Sequence, residues 1–518
     1  MLKFSKYSLF VLIFVAQSYQ ALPLPNEDDQ QQAKKDWSNT STLGWTNAPD
    51  GRGTIDIIWG CLVTMFLCSW SLLCLQLPAK DDRPVDILWR RAWLTALCAL
   101  GPEFTLQLAL GQWSSARQSC RDFHAAGHKK WTMKHAFYAD SGGFVLYTPD
   151  FKPIPIDAKQ LLWMIEHKFV DYPTLSVEEI NDKNKVDFLL RTISVGQILW
   201  FSVTVIGRAA QGLFITGLEI TTAAFILCSF GTTFCWWHKG ADVAVPEQLT
   251  TTHTMAEILT GAGSAASGMY HRTPLDFISR DEWHWSLYWT HWINILRRMH
   301  INFAPKSLPH DRFENTLWLD IKARGALPAF ILTSLLYSGI FLAAWNDHFP
   351  TRLEQTLWRL SSLGMTTAVA LYFIITAFAY VVCPAIDRYF NNLHSPIIQL
   401  HSINPSPQQS AKGNSSEPES AAGSPSSLAA AHLPGIIPQP HKKKQSRLSN
   451  LAARLRNNSV SKDPLLSVPL KATIPMYGVG FLYCLSRLSI ILLDIVQLRS
   501  MPVDAYITVD WASFVPHF

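Results

Sequence analysis

Residues 94–113 read LTALCALGPEFTLQLALGQW, an apolar run with Gly101, Pro102 and Glu103 at its middle. A charge at mid-bilayer costs roughly 2.5–3.5 kcal/mol on insertion scales unless it faces a cavity or a partner. Pro102 frees a backbone carbonyl one turn earlier and Gly101 thins the helix, so this stretch reads as a broken helix presenting a carboxylate. Such a group could act as acid or base on a lipid-soluble substrate. The plainer reading is an internal ion pair or hydrogen bond that holds helices together. Two further carboxylates are candidates for the same chemistry. Asp494 follows Arg487 by seven residues, which keeps both on roughly one helix face. Glu219 sits one turn into another apolar run, where a carboxylate near a helix N-terminus gains from the macrodipole. Arg208, just before it, reads first as a cationic anchor. Outside the apolar runs, HAFYADSGGF holds His135 and Asp140, five residues apart. Loop packing is the plain reading; a base with its orienting carboxylate is the chemical one.

The absent patterns narrow the chemistry. There is no GxGxxG, no P-loop and no HExxH. His284 and His291 lack the close spacing of diiron His boxes, and Asp81-Asp82 runs into Arg83-Pro84 rather than forming an aspartate-rich magnesium motif. No metal site and no cofactor are expected. The nine Cys lie mostly in or beside apolar runs, Cys120 apart, and suggest small apolar residues rather than a disulfide framework. The net charge of +5 is scattered between the runs, so no nucleic-acid face is expected.

These residues need elements to hold them. Charged types make up 16% of the 518 residues and apolar types 48%, a balance that points to the bilayer. Seven runs approach span length: Ile55 to Leu77, Ala92 to Trp113, Phe188 to Ile206, Ile215 to Trp237, Leu327 to Trp345, Leu360 to Cys383 and Ile474 to Leu493. They are continuous rather than alternating, which selects helices over a barrel. The expected fold is therefore an all-α integral membrane protein with about seven transmembrane helices. A signal peptide over 1–21 precedes them, with Lys3 and Lys6 before a short apolar core. A lumenal or extracellular segment over 22–54 follows, then a membrane domain over 55–400. Residues 401–468 form a Ser/Pro/Ala-rich, then basic linker, and 469–518 the last span and tail.

The long loops carry amphipathic stretches. LLWMIEHKFVDYP and VEEINDKNKVDFLLRTI read as short helices, and the Trp-rich DEWHWSLYWTHWINILRRMH reads as an interfacial one. Counting seven spans from a signal peptide puts all three long loops on the side of the N-terminal segment, with Lys80, Arg83, Arg90 and Arg91 in the cytoplasm. The polybasic HKKK stretch argues for the reverse. In the first arrangement Asn39, Asn414 and Asn457 are all glycosylation acceptors.

The stretches GRGTIDIIWGCLVTMFLCSWSLLCLQLP, GPEFTLQLALGQWSSAR, HAFYADSGGF and DAKQLLWMIEHKFVDYPTLSVEEINDKNKVD, with the tail LYCLSRLSIILLDIVQLRSMPVDAYITVDWASFVPHF, together resemble a fungus-restricted family of polytopic integral membrane proteins. Its members often lie near gene clusters for secondary metabolites. The resemblance covers about residues 50 to 400 and 470 to 518. It includes Trp59, Cys61, Cys68 and Trp70, the Gly101-Pro102-Glu103 break and Pro516-His517; Gly60 stands where relatives usually have Ser. It implies an endoplasmic reticulum, other endomembrane or plasma-membrane location and no catalytic assignment.

Two functions are carried forward. The first is an enzyme acting on a hydrophobic metabolite inside the bundle, by metal-free terpenoid or epoxide cyclisation, with Glu103 as acid or base and Asp494 or Glu219 as second carboxylate. The second is a non-enzymatic receptor, transporter or scaffold. The first requires Glu103, Arg487 and another carboxylate to converge on a void of ligand size, and a tightly filled pairing with no cavity favours the second.

Overall fold

A computed structural model describes residues 42–47, 51–183, 187–241, 243, 245–268, 270–280, 284–301, 308–315, 319–382, 447–458, 467 and 470–511. The expected leader over 1–21, Asn39, Asn414 and the Ser/Pro/Ala-rich part of the linker lie outside the described residues.

The chain is mostly helical, and six helices are long and apolar enough to cross a membrane. The first, α1 (Thr54–Phe66), runs on into a π-helical turn over Leu67–Ser71. Next come α2 (Pro84–Leu100) and α3 (Pro102–Ala125). The second apolar run is thus not one straight span: it divides at Gly101, and α2 and α3 meet at a bend of 115°. Pro102 opens α3, the one helical position where its missing N–H costs nothing. Gly101 is required by a close approach, since a Cβ there would lie 2.5 Å from the Tyr483 hydroxyl.

Short helices α4 (Met133–Asp140), α5 (Ala158–Glu166) and α6 (Val177–Asp182) follow α3. The expected loop from residue 114 is helical as far as Ala125. Then come two antiparallel candidate spans, α7 (Asp187–Ala210) and α8 (Gly217–Cys235). After them lie α9 (Met255–Ala262), α10 (Asp276–Ser279) and the Trp-bearing α11 (His284–Arg298). The remaining long helices are α12 (Ala326–Ile340), α13 (Arg352–Ala377) and α15 (Leu470–Gln497), with the amphipathic α14 (Arg447–Arg456) before the last.

The all-α expectation needs correction. A three-stranded sheet, ordered β3-β2-β4, is built from β2 (Phe144–Tyr147), β3 (Ile154–Ile156) and β4 (Glu247–Thr250). β2 pairs antiparallel with β3 (Phe144 opposite Ile156) and parallel with β4 (Phe144 opposite Glu247). Two long helices, α7 and α8, lie within that parallel crossover. A second pairing joins β1 (Thr42–Leu43) to β5 (Met501–Pro502).

These two pairings fix which bundle end each segment occupies. β1 precedes α1 and β5 follows α15, so both chain-terminal segments meet at one end, here the terminal end. The α7–α8 turn is there too, because Arg208 bonds the carbonyls of Phe214, Asp504 and Ile507. So is the α12–α13 turn, where the Gln497 amide donates to His348 O. The segment after α1 sits at the opposite, loop end: Leu77 N–H donates to Ser141 O and Lys239 Nζ to Cys74 O. Helix α2 starts at the loop end and α3 returns to it. The pair therefore forms a hairpin that returns to the end where it began, and six of the described helices, or up to seven with the bent pair as one span, are long and apolar enough to cross a membrane. The described parts of the first two long loops do not share an end with the described N-terminal segment. Those described parts gather at the loop end, and so does Asn457, next to Asn458, which is clamped by His291 O, Asn294 and Arg298.

Candidate functional site

The hairpin tip sits against the middle of α15. From Glu103 to Gln112, which lies at the loop end beside Trp236 and Lys239, α3 rises roughly 14 Å at 1.5 Å per residue. That is about half of a ~30 Å hydrocarbon core. Glu103 therefore sits inside the bundle, against the midpoint of α15, on an element that turns back there.

The Tyr483 hydroxyl donates to Glu103 Oε1 in a short hydrogen bond, and both side chains are buried. Glu103 Oε2 is buried with no hydrogen-bond partner in the protein. Arg487, one turn along α15 from Tyr483, donates from Nε to Leu100 O at 3.2 Å, the last carbonyl of α2. Its guanidinium lies 5.3–6.0 Å from the ring centres of Phe225, Tyr337 and Phe341. Nη1 has no acceptor. Two turns further, Asp494 accepts from the Thr221 hydroxyl at 2.7 Å through Oδ2, while Oδ1 is left over. Among the described residues no ion pair joins Glu103, Arg487 or Asp494. Three ionisable side chains thus share one buried column, each with one polar atom unanswered by the protein.

Glu219 is used differently. Its carboxylate accepts from Arg52 at 2.5 Å and from Thr216 N–H and hydroxyl at 2.9 and 3.0 Å, with Arg208 Nε 3.9 Å away. It closes the capping box of α8 and pairs with a cation, an arrangement that leaves little capacity for proton transfer. Arg208, 1% exposed, gives its remaining donors to carbonyls of the 504–507 segment and of Phe214. It clamps the C-terminal segment onto the α7–α8 turn.

His135 and Asp140 are not brought together. His135 Nδ1 takes the capping position facing Thr132, and Nε2 bonds Leu175 O at 2.9 Å. Asp140 accepts from the Ser115 hydroxyl at 2.8 Å and from Ala158 N–H at 3.2 Å. Burial pushes the Asp140 carboxyl up to about 7, and the neighbouring Asp157 carboxylate adds to the shift.

Two participants were not singled out in the sequence. Tyr483 belongs to a stripe, Tyr483, Arg487, Asp494 and Gln497, whose helical spacing could have flagged it. Lys239, just past the end of α8, is 2% exposed; it bonds Cys74 O at 3.0 Å and Gln112 Oε1 at 2.8 Å and lies over Trp236. Burial lowers its pKa to about 8. An open groove of about 280 Å³ lies outside the spans, lined by Trp163, His167, Gly261 and Phe277 among others, and shares no residue with the column. Among the described residues no group of three or more His, Cys, Asp or Glu is arranged to hold a metal ion.

No curated protein and no solved structure matches the chain. Residues 30–270, which include the re-entrant hairpin and Glu219, are similar to a family of unknown function (DUF8562).

Proposed function

We propose that this protein is an integral membrane protein whose bundle interior carries out acid–base chemistry on a hydrophobic small molecule. The single observation that carries the reading is Glu103. It is a carboxyl group at the tip of a re-entrant hairpin, one oxygen fixed by Tyr483 and the other unpartnered. A carboxyl desolvated without a paired cation acts best as a neutral acid. The reaction class is metal-free terpenoid or epoxide cyclisation. Protonated Glu103 delivers its proton to the epoxide oxygen as the C–O bond breaks. An alkene π pair of the same substrate forms the new C–C bond. The resulting cation loses a proton, with Asp494 as the acceptor, so the net change is an isomerisation that needs no oxidant. Arg487 Nη1 supplies a second donor to the oxygen as charge develops on it.

The outer faces of the long helices support the bilayer as surroundings. On α15, Phe481, Leu485, Leu488, Leu492 and Ile495 are exposed, opposite the buried column. The metabolite class rests on the family resemblance of the sequence, as does an endomembrane or plasma-membrane location.

A second reading, transport of the same kind of molecule, is favoured by one feature: helices broken at mid-depth recur in transporter binding sites. Metabolite profiling separates the two. Cells lacking the protein, complemented with wild type or Glu103→Gln at equal level, lose a chemical species in the first reading. In the second they keep every species and change only where it accumulates.

A further inference from the structure

The inward face of α15 carries Tyr483, Arg487, Asp494 and Gln497, with Ile490 between, all buried. From Tyr483 to Gln497 this column climbs roughly 21 Å, from the midpoint of α15 to the terminal end. Neighbouring helices extend it. Thr221 donates to Asp494, Gly217 N–H to Gln497 Oε1 at 2.7 Å, and Glu219 reaches the part-exposed Arg52. Between Tyr483 and Gln497 the column holds one cation, Arg487, and one carboxyl group, Asp494.

Three atoms along it, Glu103 Oε2, Arg487 Nη1 and Asp494 Oδ1, are buried and unanswered by protein. Such atoms are nearly always satisfied, by ordered water where protein does not reach. Near the terminal end Gly217 packs directly on the column: a Cβ there would lie 2.8 Å from Asp494 Oδ1 and 2.9 Å from Gln497 Oε1, so a larger residue displaces both side chains. We propose that this column is a hydrated proton path joining Glu103 to the solution at the terminal end of the bundle. Water relays the proton between Glu103 and Asp494, and Asp494 takes it up and releases it past Gln497 at the terminal end. The path rests on Glu103 working as a proton-carrying group, and it gives that group a route of exchange with the solution.

The test is infrared hydrogen–deuterium exchange on the full-length protein in lipid vesicles. The protonated carboxyl stretch that disappears in Glu103→Gln is followed after a switch to D₂O. The proposal expects prompt exchange in wild type. It expects slowing of about tenfold or more in Asp494→Asn and in Gly217→Ala, and none in Gly339→Ala, which adds a methyl group in open space. Gly217→Ala keeps the test readable where Asp494→Asn does not fold. A Glu103 band that exchanges at the wild-type rate in the folded path variants overturns the path and leaves the acid reading standing. The absence of any band lost in Glu103→Gln overturns both.

Discussion

The Tyr483 hydroxyl donates to Glu103 Oε1 and so ties the midpoint of α15 to the tip of the α2–α3 hairpin, two sites 380 residues apart in the chain. Removing the donor leaves a buried carboxyl oxygen unsatisfied, a loss of about 1–3 kcal/mol. Tyr483→Phe is expected to lower the unfolding temperature in detergent. Glu103→Gln, whose carbonyl still accepts the bond, is expected to lower it less. Equal melting of Tyr483→Phe and wild type would mean that this bond does not hold the hairpin.

The hairpin also fixes topology. Single cysteines at Trp45 and Thr508, in a cysteine-free background, should react with an impermeant maleimide from the same side of sealed vesicles. Cysteines at Lys80 and Lys152 should react from the other. A straight span through residues 92–113 would split each of these pairs across the membrane, and that labelling pattern would refute the re-entrant arrangement.

Asp140 makes the loop-end domain sensitive to pH. Its carboxyl titrates near 3.8 when unfolded and about 7 when folded, so the folded state binds the proton more tightly between those values. Stability of this region should fall as pH rises from about 4 to about 7 and level off above. Asp140→Asn can still accept from Ala158 N–H and donate to Ser115, and it should remove the slope. Hydrogen exchange of the 133–166 amides against pH reads this directly; a slope of the same size in the variant would place its origin in another group.

Arg208 gives five hydrogen bonds to backbone carbonyls of Phe214, Asp504, Ala505 and Ile507. Arg208→Met strands those carbonyls and leaves Glu219 with Arg52 as its one cation, a change of about 3–5 kcal/mol by analogy with broken buried pairs. Limited proteolysis should then cut the 503–511 segment well before the helices. Unchanged protection there would show that the β1–β5 pairing and Tyr506 suffice without the arginine.

How far the sequence was legible follows from the range of each interaction. Helices with long apolar runs, α1, α7, α8, α12, α13 and α15, are readable because their burial is set locally by side-chain type. The break at Gly101-Pro102 was equally readable. Its 115° direction was not, because it depends on contacts to Tyr483 and Arg487 that no local pattern encodes. The strands escaped for a similar reason. EQLT, the sequence of β4, has no strand signature, and it pairs because α7 and α8 return the chain beside Phe144. His135 and Asp140 share one short helix, yet a Thr132 cap and a Ser115 partner turn them to separate tasks.

The most direct test of the central claim is conversion by the purified protein. Lipophilic extract from cells whose only copy is Glu103→Gln is incubated with wild-type or variant protein in lipid nanodiscs and analysed by mass spectrometry. The account predicts that wild type consumes one accumulated species and forms a product of identical mass, while Glu103→Gln leaves it unchanged. Equal consumption by the two proteins, or none by either, would contradict chemistry at Glu103.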